Sequence, residues 1–137
     1  MSPVLKNVLA VVAGIVVGMV VNMGIIMVGP MLIPLPEGID PMDPESLKAG
    51  MHLLETKHYI TPFLAHAMGT LVGAFVAVKI AASHGMKLAL VIGVFFLAGG
   101  IYNVVNLDPP TWFAIAELVV AYIPMAILGH GLAGPQS

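Results

Sequence analysis

Along this chain, long apolar runs are separated by short polar gaps. Residues 8–28 form a run of 21 without a charge, residues 59–80 a run of 22 carrying His66 and Lys79, residues 88–105 a run of 18, and residues 112–130 a run of 19 that contains Glu117. Together they take 80 of the 137 residues. A helix crossing a hydrocarbon core about 30 Å thick needs roughly 20 residues. Backbone in that core must satisfy its own hydrogen bonds, so the runs are helices. The pattern predicts an all-α membrane protein: one integral membrane domain, 1–137, with four transmembrane helices in a compact bundle. The expected spans are about 8–28, 59–80, 88–105 and 112–130. The first run is longer than the 7–15 residues of a signal-peptide core. No small-x-small cleavage pattern leads into the proline-rich gap after it, so it reads as a span rather than a cleaved leader.

The gap between the first two runs, 29–58, divides in two. Pro30, Pro34, Pro36, Pro41 and Pro44 predict an extended, stiff first half. Asp43 is then placed to cap a helix that has Pro44 at its first position. Leu47, Gly50, Met51 and Leu54 recur at helical spacing. A short amphipathic helix over about 44–56, lying on the outer membrane surface, is expected.

Composition agrees with the runs. The apolar set reaches 59% and charged residues only 9%, against roughly 25% in soluble domains. That excludes a soluble enzyme. Five lysines, no arginine and a net charge of −2 exclude a nucleic-acid partner. With no cysteine there is no disulfide framework, thiolate nucleophile or thiolate metal site.

The few charges set an expected orientation. Lys6 lies before the first span, and Lys79, His84 and Lys87 surround the short gap between the second and third. The 29–58 loop is acidic on balance, and Asp108 stands alone in the last gap. The positive-inside rule then puts both termini and residues 81–87 in the cytoplasm. Tyr59 and Trp112 fall at the outer interface, where amphipathic rings settle.

Each run has one face of small or polar residues. These are Gly14, Gly18 and Asn22 in the first, and His66, Gly69, Thr70, Gly73 and Ala77 in the second. Gly93, Gly100 and Asn103 mark the third, and Ala114, Glu117, Ala121 and Pro124 the fourth. In lipid, helices associate through close backbone approach, which small residues permit. Gly14, Gly18, Gly69, Gly73, Gly93 and Gly100 are therefore expected at helix–helix contacts.

At 1.5 Å per residue, Asn22, His66 and Glu117 lie about 8–10 Å inside the outer ends of their spans, and Asn103 about 3 Å. All four converge on the outer third of the membrane. A lone carboxylate there costs about 2.5–3.5 kcal/mol on insertion scales, so Glu117 requires a partner or water. Histidine is the side chain able to share its proton. The four residues form a candidate polar intramembrane site, suited to a proton relay, an ion-coupled binding site or a metal site, or else to a structural hydrogen-bond network that pins the helices.

Other motifs are weaker. His52, Glu55 and His58 make H-x-x-E-x-x-H, which matches neither zinc-helix signature. A bis-histidine haem needs two facing histidines at one depth, and only His66 lies well inside. No metal or cofactor is expected, and no catalytic residue is assigned. Lys79 and Lys87 read as end anchors whose stems lie along apolar surface.

Residues 6–29 (KNVLAVVAGIVVGMVVNMGIIMVG) and 62–73 (PFLAHAMGTLVG) give the chain the look of small four-helix bacterial inner-membrane proteins of unassigned function. That resemblance implies a multi-pass inner-membrane location and carries no functional residue across. Small multidrug transporters are of similar length, but their working glutamate is in the first helix. Here Asn22 is there instead, and the glutamate is in the fourth, which argues against membership. Three function classes remain. The first is an accessory or interaction subunit of a membrane assembly, with a membrane-protein partner or a second copy of itself. The second is a small proton-coupled transporter or channel using His66 and Glu117. The third, ranked last, is an intramembrane enzyme.

Overall fold

The computed structural model describes residues 1–135. Helix α1 spans Pro3–Leu32, α2 Pro44–Gly50, α3 Ile60–Ile80, α4 Gly85–Leu107, α5 Thr111–Val120 and α6 Ile123–Ala133. Among the described residues there is no strand. α1, α3 and α4 are each long and apolar enough to cross a bilayer, and so is α5 taken with α6. The fold is an all-α bundle of four membrane-spanning helices with a short helix beside it.

α3 is the centre of the bundle. It packs along α1, along α6 and along α4, and α4 also meets α6. The reason is side-chain size. A Cβ added to Gly14 would stand 2.6 Å from the Gly73 carbonyl oxygen, and one added to Gly18 would stand 2.7 Å from that of Gly69. The reverse contacts, Gly69 to Gly18 and Gly73 to Gly14, are equally close at 2.8 and 2.7 Å. The two backbones touch at two successive turns, which requires glycine on both sides. On the other side of the bundle, Gly93 abuts Ala126, and Gly100 lies under the Tyr122 ring. The buried core is otherwise mostly alanine, with Tyr122, Ile92 and Val78 as its largest fully enclosed apolar side chains.

The outside is inverted relative to a soluble bundle. Val8, Val12, Val16, Met19, Val20 and Met23 of α1 are exposed, while that helix buries only Ala10, Gly14 and Gly18. Such a surface is stable in lipid, where helix contacts come from close packing rather than from hiding apolar area.

Three details differ from the sequence expectation. α1 runs through Pro30 to Leu32 instead of ending before an extended proline segment. Pro30 gives up only one hydrogen bond in the last turns, and the Ile33 N–H still reaches the Gly29 carbonyl at 2.8 Å. The surface helix is shorter than 44–56. It starts as expected, with the Asp43 side chain accepting from Glu45 N–H at 3.1 Å, but regular α-helix stops at Gly50. A 3-10 turn, Met51–Leu53, comes next, and a second, Thr56–Tyr59, leads into α3. Here the burial of Tyr59 and His58 overrides the helical stripe. The fourth span is broken rather than continuous. Residues 121–122 form a turn between α5 and α6, because Pro124 cannot donate to the carbonyl one turn back and its ring crowds that turn.

Candidate functional site

The break at 121–122 builds the site. α6 packs closely against α3 and α4, whereas the backbone of α5 lies mainly against α4 and α6. The loop-end half of the fourth span thus parts from α3 and leaves a gap. His66, from α3, reaches across it.

His66 Nδ1 and Glu117 Oε1 are in direct hydrogen-bond contact. Glu117 is 2% exposed, which makes it one of the most buried side chains of the molecule. Tyr122 closes the other side. Its ring stacks on that of His66 at 6.1 Å between centroids, and its side chain lies beside Glu117. With Nδ1 engaged, the remaining His66 nitrogen, Nε2, makes no hydrogen bond to the described residues, and the His66 side chain lines a cavity. His66 is itself anchored to the helix by a neighbour, since the Thr70 hydroxyl donates to the His66 carbonyl at 2.8 Å.

That cavity holds about 420 Å³. Its walls come from α1 (Ile26, Pro30), the surface segment (Leu47, Met51, Leu54), α4 (Tyr102, Asn103) and the start of α5 (Phe113). Glu45 and Lys48 of α2 also border it. Counted along α3 and α5, His66 and Glu117 are the lining residues farthest from the loop end, so the pair forms the floor.

The roof is held by the loop. The His58 ring is buried, accepts the Glu55 N–H at its Nδ1 (2.8 Å) and contacts the Pro34 carbonyl through Nε2 (3.1 Å). Accepting at Nδ1 puts the proton on Nε2, so that nitrogen donates to Pro34. The Tyr59 hydroxyl donates to Met51 Sδ at 3.3 Å, and its ring packs on Trp112 and Phe113 at 5.4 and 4.7 Å. Both nitrogens of His58 are occupied by backbone groups, and its role is structural.

The four expected polar residues are treated differently by the fold. His66 and Glu117 touch, and Asn103 lines the same cavity. Asn22 stands apart, against Gly69 on α3, with its Oδ1 buried and lacking a hydrogen-bond partner among the described residues. Residues three apart on a helix are about 60° apart around it. On a central helix with neighbours on several sides, His66 and Gly69 therefore address different helices.

Tyr122 is the residue of the candidate site that sequence reasoning missed, and Tyr59, read there only as an interface ring, lines the same cavity. In an unbroken helix Tyr122 would point about 140° away from Glu117, five positions before it. Pro124 was the signal for the break that brings them together. At the other end of the bundle, Asn7 also went unnoticed. Its Oδ1 accepts from Ala82 N–H at 2.8 Å and from Ser83 N–H at 3.3 Å, tying α1 to the turn before α4.

Comparison with protein-family models, curated proteins and solved structures gives no match. The function is therefore argued from this geometry.

Proposed function

We propose that this is a small ligand-binding membrane protein whose intramembrane cavity is served by a proton-exchanging pair, His66 and Glu117, as in a proton-coupled transporter. The observation that carries the reading is the buried Glu117 carboxylate on the His66 ring at the floor of a cavity of about 420 Å³. A structural network would be expected to fill its surroundings with side chains. Here one ring nitrogen is left over beside open volume. An ionisable pair at membrane depth is costly, and a functional role at that depth explains why it is there.

The bacterial inner membrane, with both termini cytoplasmic, is the expected setting, on the lysine distribution and the resemblance to small inner-membrane proteins. An accessory-subunit role remains the competing reading. It draws on small size, the exposed faces of α1 and the lack of any sizeable soluble part in these 137 residues. It predicts a stoichiometric membrane-protein partner on purification.

The experiment is a screen of small amphiphiles against the purified protein, read by Trp112 fluorescence. Trp112 packs on Phe113, a wall of the cavity, at 5.9 Å. At least one class should bind with an affinity that changes with pH in the parent and not in Glu117→Gln. No binding by any class, or binding whose pH dependence survives Glu117→Gln, overturns the reading.

A further inference from the structure

We infer that the cavity's ligand is a lipophilic monocation, and that its binding displaces one proton from the His66–Glu117 pair. This rests on the ligand-binding reading and names the chemical class. The first ground is the charge count at the floor. The Nδ1–Oε1 contact needs one proton between its atoms. With that proton alone the pair carries −1, and with a second on the unit it is neutral. A net charge at membrane depth is costly, so without a ligand the neutral, doubly protonated unit is favoured. A cation seated against His66 Nε2 and the carboxylate supplies the positive charge instead. The second proton is then surplus and leaves to solvent. Charge balances at every stage: neutral pair plus cation gives a −1 pair holding +1, plus one free proton.

The second ground is what faces the pair. α1 contributes Ile26 and no titratable group. α3 and the turn before it contribute His58 and Tyr59, α4 contributes Tyr102, and α6 is preceded by Tyr122. His58 is committed to Glu55 and Pro34. Lys48 is the sole lysine on the cavity wall, and it sits on α2 with Glu45, outside the helices that carry the floor. No fixed cation answers Glu117, so an anion would meet a carboxylate with nothing to hold it. Tyr59, Tyr102 and Phe113 line the same volume, and aromatic ring faces attract cations. The remaining apolar lining requires the cation to carry an apolar body.

The probe is 3-phenylpropyltrimethylammonium, set against the same molecule with a tert-butyl group in place of trimethylammonium. The charged probe has no proton to give, so any proton released comes from the protein. Calorimetry on the purified full chain, in buffers of different ionisation enthalpy near neutral pH, reads proton release directly. The cation should bind about tenfold or more tighter than its uncharged isostere and release close to one proton per site. Glu117→Gln should lose about tenfold in cation affinity and release none. The parent measurement stands alone if that variant does not fold. Equal binding of the isostere, or cation binding without proton release, overturns the inference. If uncharged hydroxyl amphiphiles bind with a pH dependence lost in Glu117→Gln while the cation does not bind, the ligand-binding reading survives and the cation inference falls. If nothing binds, both fall.

Discussion

A side chain at Gly18 has nowhere to go. Its Cβ would stand 2.7 Å from the Gly69 carbonyl and 2.8 Å from the Phe96 ring. Backbone cannot step aside as a flexible side chain does, so Gly18→Leu should cost about 1–3 kcal/mol, the usual range for overpacking. Gly24, on the same helix, has no neighbour within 4 Å of its would-be Cβ. Gly24→Leu should therefore stay within about 0.5 kcal/mol of the parent. Denaturant titration of both variants in one detergent makes the comparison, and equal stability would mean that α1 does not rest on α3 through this stripe. The His66–Glu117 contact has its own residue-scale test. A double-mutant cycle with His66→Ala and Glu117→Gln should give a coupling of about 0.6–1.7 kcal/mol, between the average and the largest value for interhelical hydrogen bonds in membranes. A coupling of zero would mean that the two side chains do not share a proton or a bond.

The fourth span shows how an element is shaped by one residue. Pro124 separates α5 from α6, and the turn between them lets Tyr122 and Glu117 meet on one side. Pro124→Ala restores the missing donor and should straighten the helix. Tyr122 then rotates away, the gap against α3 narrows, and the His66–Glu117 coupling should drop by at least half in the same cycle. An unchanged coupling would show that α4 contacts, not proline, hold the break. The surface segment depends on His58 in a similar way. Replacing His58 with Phe fills its space but strands the Glu55 N–H and the Pro34 carbonyl, a loss of about 1–3 kcal/mol confined to the loop. Hydrogen exchange over 34–58 should quicken while α1 and α3 keep their protection. Slow exchange throughout would mean that Tyr59 and Met51 hold the roof without it.

At the scale of the whole molecule, four antiparallel spans put the start of α1 and the end of α6 at one end of the bundle and the 33–59 loop at the other. Which side is which rests on five lysines. Reporter fusions at residue 84 and after the last residue should both read cytoplasmic. The opposite reading at residue 84 would turn the cavity towards the cytoplasm, so its ligand would arrive from inside the cell. α1 is 30 residues long, about 45 Å at 1.5 Å per residue, against a hydrocarbon core of about 30 Å. At the loop end of α1, Pro30 and, just past the helix, Ile33 become cavity wall.

The existence of four helices was legible in run length alone, because lipid leaves an apolar run no alternative to the helix. The small faces were legible too, since close approach needs residues without bulk, and Gly14, Gly18, Gly69 and Gly73 do lie where two backbones touch. Depth along a helix is a count at fixed rise, so the equal level of His66 and Glu117 could be read from position. Direction around a helix is different. It depends on which neighbour fills each side, and that is why Asn22 turned out to face Gly69 while His66 crossed to Glu117. The start of the surface helix was legible in Asp43 and Pro44, as a cap acts through its nearest neighbours. Its early end at Gly50 was not, because burial of His58 and Tyr59 under the loop is a long-range demand. The break at 121–122, the partnership of Tyr122 with Glu117 and the cavity they floor were decided by tertiary structure. Local sequence fixes length, depth and apolar face; the gap between α5 and α3 comes from a broken helix whose second half packs along α3 and whose first half lies mainly against α4 and α6.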